Sequence, residues 1–139
     1  MKKKKVLIIT SKYNKNVSTG LQKSALVLLS KFKWIHTFNL EVPGAFEIPS
    51  VIEKNINKFD GVIALGCIIK GETNNFDLIS KTITSSLMYL SIKHKKPIGN
   101  AVITCLNNKQ ALVRRKKGRE AANAVKEILL LDKKLKIKS

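Results

Sequence analysis

The runs Val6-Leu7-Ile8-Ile9 and Gly61-Val62-Ile63-Ala64-Leu65-Gly66-Cys67-Ile68-Ile69 constrain this chain most, because neither alternates with polar residues. A strand with one wet face alternates; a strand that is apolar at every position belongs to a parallel sheet covered on both faces. Such a sheet needs helices between its strands, and the chain supplies them. After a polar turn over 11–20, Leu21, Ala25, Leu28, Leu29 and Phe32 recur at helical spacing, so their common face packs on the sheet.

Residues 34–40 read as a second strand that runs into the turn Val42-Pro43-Gly44. Pro49 suits the first turn of a helix carrying Ile48, Ile52 and Ile56 on one face. The run 61–69 is the third strand; Ile79, Ile83, Leu87 and Leu90 mark the helix after it. Ala101-Val102-Ile103 centres a fourth strand within 97–104, and residues 110–131 form one or two final helices with Gly118 as the break. Strands alternating with helices of this length predict an α/β fold, a single three-layer αβα domain over 1–139 with a mainly four-stranded parallel sheet and right-handed crossovers.

Charge is the loudest bulk property: 27 Lys and Arg against 9 Asp and Glu give +18 over 139 residues. Only Arg114, Arg115 and Arg119 are arginine, and the lysines are scattered over every segment beside abundant Ile and Asn. Apart from the short basic cluster 114–119, that is a compositional drift towards lysine and not the arginine-rich, aromatic-interleaved pattern of nucleic-acid binders, so no nucleic-acid partner is expected. Two cysteines without C-x-x-C spacing and two histidines give no metal-ligand cluster. The apolar run 6–10 is too short for a signal peptide and no stretch approaches a membrane span, so a cytoplasmic chain with reduced thiols and no membrane partner is expected.

In sheets of this kind ligands bind beyond the carboxyl ends of the strands. That rule gathers residues 11–14, 44–47, 67–75 and those near Thr104 onto one edge. Turns rich in Gly, Ala and Thr at that edge let backbone N–H groups and a helix N-terminus face a small anionic ligand.

Four segments then carry a resemblance. Ser11-Lys12-Tyr13-Asn14, Val42-Pro43-Gly44-Ala45-Phe46-Glu47-Ile48-Pro49, Gly66-Cys67-Ile68-Ile69-Lys70-Gly71-Glu72-Thr73 and Gln110-Ala111-x-x-Arg114 stand in order along the chain. They resemble the 6,7-dimethyl-8-ribityllumazine synthase family, answering its R-[FW]-N element, its central signature, its G-x-V-I-x-G-x-T and its Q-A-x-x-R. Several motifs in one order are far more specific than any alone.

The resemblance implies a flavodoxin-like fold. It also implies condensation of 5-amino-6-(D-ribitylamino)uracil with 3,4-dihydroxy-2-butanone 4-phosphate, with release of phosphate and water and without metal or organic cofactor. Active sites shared between adjacent subunits of a homopentamer, or of a multiple of pentamers, follow from the same likeness. By correspondence Tyr13 faces the pyrimidine, where an aromatic plate gains from offset stacking, and Asn14 supports the turn or bonds the ring edge. Ala45, Phe46 and Glu47 match contacts to the pyrimidine and ribityl chain; Phe46 reads equally as plain core. Cys67, Ile68 and Ile69 match backbone readers of the uracil edge. Gly71, Glu72 and Thr73 match the phosphate site, joined from the neighbouring subunit by Arg114, whose planar fork suits the dianion, and by Lys117.

The chain departs from the family at three places. Asn75 stands where the family places a proton-transferring histidine, and asparagine does not titrate near neutral pH. Asn100 replaces a phenylalanine set against the pyrimidine, and the loop between Arg114 and Gly118 is several residues shorter than usual. The first departure leaves a second reading open, a catalytically degenerate homologue that binds a flavin-like ligand or builds a shell.

Overall fold

A strand's pleat sends alternate side chains to opposite faces, and here both faces are apolar because both are covered. The computed structural model describes residues 2–72 and 74–138, the side chains of Glu72 and of 136–138 excepted. Its sheet has four parallel strands, β1 (Lys4–Ser11), β2 (Ile35–Val42), β3 (Gly61–Ile69) and β4 (Ile98–Cys105), in the order β2-β1-β3-β4. Five helices connect and cover them: α1 (Lys15–Leu29), α2 (Ile48–Asn55), α3 (Phe76–His94), α4 (Asn108–Val113) and α5 (Lys117–Lys138). The expected α/β three-layer arrangement and its four strands are all present.

The two apolar faces make two cores. Val6 and Ile8 of β1 and Ile63 and Leu65 of β3 pack with Leu21, Ala25, Val125 and Leu129 of α1 and α5. Leu7 and Ile9 of β1 and Val62 and Ala64 of β3 pack with Ile48, Ile52, Ile83 and Leu87 of α2 and α3. Each fully buried Ile or Leu contributes about 1.5–3 kcal/mol, so both faces hold the central strands in place. The edge strand β2 differs: its middle residues are largely exposed on both faces, the apolar Phe38 and Leu40 included.

Three boundaries differ from the sequence reading. The segment 11–20 is not a turn throughout, since α1 begins at Lys15. Asn14, in the left-handed conformation with φ 56°, turns the chain into the helix, and the Val17 and Leu21 side chains are wholly buried. Phe32 lies beyond α1, half-buried against the α1–α5 core. Gly118 does not break the last helix. The break is the 3-10 turn Arg114–Lys116, and Gly118 sits in the first turn of α5. There its lack of a side chain lets α5 touch α1: a Cβ on Gly118 would lie 2.0 Å from the Leu21 carbonyl oxygen.

Candidate functional site

The strand order places a switch point between β1 and β3. From β1 the chain crosses one way to β2, and from β2 back over β1 to β3, so connections leave in opposite directions and a crevice opens at the carboxyl ends. The register shows where. The β1–β3 ladder ends at Thr10 opposite Leu65, while β3 continues beside β4 to Ile69 opposite Cys105. Past Leu65, β3 therefore borders a notch instead of a strand.

Side chains close in on that notch. Ser11 Oγ would be 3.0 Å from a Cβ on Gly66, and Ala45 Cβ and Ile48 Cδ1 each 3.5 Å from it. Gly66 is needed there because any side chain would fill the space. The Ser11 and Thr10 hydroxyls are buried at this end of β1 with no hydrogen-bond partner among the described residues.

The residues expected at the site occupy the surrounding turns. Tyr13 follows β1 and is 43% exposed. Asn14 Nδ2 donates to Asn108 Oδ1 at 2.6 Å, so Asn14 supports the turn and ties it to the start of α4. After β2 comes the 3-10 turn Ala45–Glu47. Ala45 is buried, but Phe46 is 64% exposed, which removes it from the core and leaves the ring available. Glu47 Oε1 accepts from the Gly44 N–H at 2.9 Å; the carboxylate is thereby aimed, with its second oxygen available. Phe46 and Glu47 open onto a groove of about 430 Å³ that runs along Thr82, Ile83 and Ser86 of α3.

At the end of β3, Cys67, Ile68 and Ile69 have buried side chains, so only their backbone can meet a ligand. The 3-10 turn Lys70–Glu72 follows. Gly71 is exposed, and its Cβ position is 4.0 Å from the Leu106 carbonyl oxygen, which sets it beside the end of β4. Thr73 lies outside the described residues. Asn75 is the residue before α3, and its carbonyl accepts from Ile79 N–H at 2.9 Å.

Arg114 reaches the same end of the sheet. Its Nη1 donates to the Thr104 carbonyl at 3.0 Å. Burial pushes the Cys105 thiol above the ordinary thiol range, and the Arg114 guanidinium, pulling the other way, does not overcome it. Cys105 is therefore held as a neutral thiol and offers no nucleophile. Arg114 thus holds its guanidinium at the carboxyl end of β4.

Two expected residues are not gathered here within one chain. Asn100 lies in β4 opposite Ala64, back from the carboxyl end, and its Oδ1 accepts from Val102 N–H at 2.9 Å along the sheet edge. Lys117 is exposed and pairs with Glu120 at 3.2 Å. Sequence reasoning missed Asn108 as a structural partner of the site and quoted Gln110 in its motif without assigning it a role. Gln110 Oε1 accepts from Leu106 N–H at 2.8 Å, and Asn107 Oδ1 caps α4 through Gln110 N–H at 2.8 Å. The pair Asn107-Asn108 ahead of an apolar segment is a helix-start signal that could have found them.

Among the described residues no group of three or more His, Cys, Asp or Glu could hold a metal ion, and no helix is long and apolar enough to cross a membrane. The family model for 6,7-dimethyl-8-ribityllumazine synthase matches residues 3–133. Curated relatives agree. A protein of that name from Bdellovibrio bacteriovorus is 34% identical, covering 97% of this chain and 79% of its own. One from Bartonella tribocorum is 36% identical, covering 96% and 93%, and one from Buchnera aphidicola subsp. Baizongia pistaciae is 38% identical, covering 91% and 86%.

Proposed function

The chain belongs to the 6,7-dimethyl-8-ribityllumazine synthase family, and from that premise we propose that the β1–β3 notch and the turns around it form its half of the active site. The reaction is the transferase step of riboflavin biosynthesis that condenses 5-amino-6-(D-ribitylamino)uracil with 3,4-dihydroxy-2-butanone 4-phosphate. The arylamine attacks the carbonyl to give an imine and a first water, elimination of phosphate leaves an enol that becomes a second ketone, and the ribitylamino nitrogen adds to that ketone and expels a second water as the ring closes. A degenerate, non-catalytic copy is not supported by relatives that carry the synthase name.

The residues divide this work. Tyr13 and Phe46, both exposed on the connections that follow β1 and β2, stack on the flat heterocycle. The backbone at Cys67 to Ile69 reads the uracil edge. The second oxygen of Glu47 accepts from ribityl hydroxyls, since a charged acceptor bonds more strongly than a neutral one. Phosphate sits at the connection that follows β3, beside Gly71, and Arg114 of a neighbouring copy supplies the bidentate cation. Ala45 packs beneath the ring, and Asn14 holds its turn through Asn108.

Asn75 can hold a proton-bearing group by hydrogen bond but cannot itself carry the proton. Proton transfer then falls to water or to the leaving phosphate, while holding both reactants together supplies much of the acceleration. Asn100 and Lys117, which point elsewhere within one chain, belong to the face offered to a neighbouring copy, so the working unit is a homopentamer or a multiple of it. The single lumazine-synthase-like domain works in the cytoplasm with small-molecule substrates and no cofactor.

The observation that carries this reading is the end of the β1–β3 ladder at Leu65, with three of the four family motifs on the turns around the notch it leaves. Lumazine absorbance and phosphate release are followed with both substrates for the parent chain, Arg114→Ala and Asn75→His. Turnover above background is expected. Loss of one charged hydrogen-bonding partner is expected to raise KM for the phosphate substrate about 10- to 100-fold in Arg114→Ala. Restored acid–base help in Asn75→His raises kcat, with about 10²–10⁴-fold as the ceiling. Background rates in the parent and in Asn75→His would overturn the assignment.

A further inference from the structure

All three arginines lie between positions 114 and 119 in a chain whose other 24 basic residues are lysine. Composition that drifts to lysine leaves arginine where the planar fork matters, because lysine supplies the same charge without two parallel donors. Arg114 is accounted for by the phosphate site. Arg115 and Arg119 are not. Both line an open groove of about 620 Å³ between α1 and the 112–119 segment, together with Lys23, Lys116, Val27 and Val113.

The groove is built, not incidental. The Arg115 stem lies across Gly20 so closely that a Cβ there would stand 2.3 Å from its Cδ. Arg115 Nε donates to the Leu112 carbonyl at 2.8 Å, and Ser24 Oγ donates to the Arg115 carbonyl at 3.0 Å. Held at stem and Nε, the side chain has already lost the freedom that binding would otherwise cost, and its two terminal amines remain for an anion. Among the described residues no carboxylate pairs with Lys23, Arg115, Lys116 or Arg119. Val27 and Val113 are 55% and 76% exposed on the same groove.

We propose that this groove docks an acidic segment of another protein, its carboxylates on Arg115 and Arg119 and an aliphatic side chain against Val27 and Val113. Charge complementarity selects the occupant. A nucleic acid would want aromatic side chains for its bases, and no aromatic residue lines the groove. An inorganic anion leaves the two valines unused. The same groove on a second copy presents the same four cations, Lys23, Arg115, Lys116 and Arg119, so two copies paired through it would set cation against cation.

The test uses the full chain and fluorescence anisotropy. A labelled synthetic helix with glutamates on one face and leucines on the other is compared with an all-glutamate peptide and a single-stranded oligonucleotide. Variants are Arg119→Lys, Arg115→Lys with Arg119→Lys, and Val113→Ser, each checked for an unchanged melting temperature and unchanged synthase rate. The Glu/Leu helix is expected to bind the parent best, and loss of a bidentate contact at constant charge to weaken it about tenfold. Arg119→Lys, on the exposed surface of α5, keeps the test decisive if the double variant fails to fold. Equal binding by parent and Arg119→Lys, tighter binding of the oligonucleotide or the all-glutamate peptide, or no binding at all would overturn the proposal. So would a sedimentation shift to smaller assemblies in Val27→Asp, which would assign the groove to a second copy.

Discussion

Replacing Gly118 by alanine separates two meanings of that glycine. If it only ended a helix, alanine would be tolerated, and helix propensity would add up to about 1 kcal/mol of stability. The structure instead puts a Cβ at that position 2.0 Å from the Leu21 carbonyl oxygen, 2.7 Å from Ser24 Oγ and 2.8 Å from the Leu21 carbonyl carbon. Side chains can yield; a carbonyl inside α1 cannot. Since real Cβ contacts stay above 3.0 Å, α1 and α5 must part by about 1 Å. Overpacking of this kind costs about 1–3 kcal/mol, and a backbone obstacle puts it near the top. Set against the propensity gain, the net loss is about 2 kcal/mol, which for a chain of this size lowers Tm by about 7 °C. Gly71→Ala is the control, its nearest neighbour being 4.0 Å away. Thermal unfolding followed by circular dichroism reads both. A Gly118→Ala protein that melts with or above its parent would show that α5 does not approach α1 this closely, and the argument would fall.

Other substitutions test the site and its supports. Asn108→Ala removes the acceptor that holds Asn14; a hydrogen bond of this kind is worth about 1 kcal/mol, so Tm should fall by about 3 °C and KM for the pyrimidine substrate rise several-fold, and an unchanged KM would detach Asn108 from the site. Glu53 joins α2 to α3 through His94 and Lys93, both at 3.0 Å. Hydrogen bonds from His94 and then Lys93 hold its carboxyl below the ordinary value of 4.5. A depressed carboxyl contributes stability above that value and loses it as pH falls through the lower folded value. Glu53→Gln should therefore narrow the gap between neutral and acid Tm, and a parent-like acid limb would remove the pair from the explanation.

How much of this was legible in sequence depends on what each signal reports. Burial on both faces is written into the composition of β1 and β3, so the parallel sheet and its three layers could be read directly. The start of α1 was obscured because Lys15, Asn16, Ser18 and Thr19 look like loop, although the spacing of Val17 and Leu21 carried the helical period. The break at Arg114–Lys116 was invisible to propensity, since arginine and lysine are good helix formers; tertiary contact with Gly20 and Ser24 fixes it. Phe46 looked like core because its neighbours are apolar, and only the 3-10 turn turns it outward. The notch itself has no local signal. It comes from the register of β1 against β3, a pairing between residues more than fifty positions apart.

The two cores on either side of the sheet have a consequence for how the molecule opens. One layer consists of α1 and α5, 15 and 22 residues long; the other rests on α2, with 8 residues, and α3. Cooperative opening units follow supersecondary motifs and are least stable where little apolar area is buried. The turn bearing Phe46 and Glu47 belongs to the thinner layer, whereas Arg114 is anchored on the thicker one. Backbone amides of α2 are thus expected to exchange before those of α1 and α5, and the Phe46 and Glu47 side of the pocket can open while the layer that carries Arg114 stays closed.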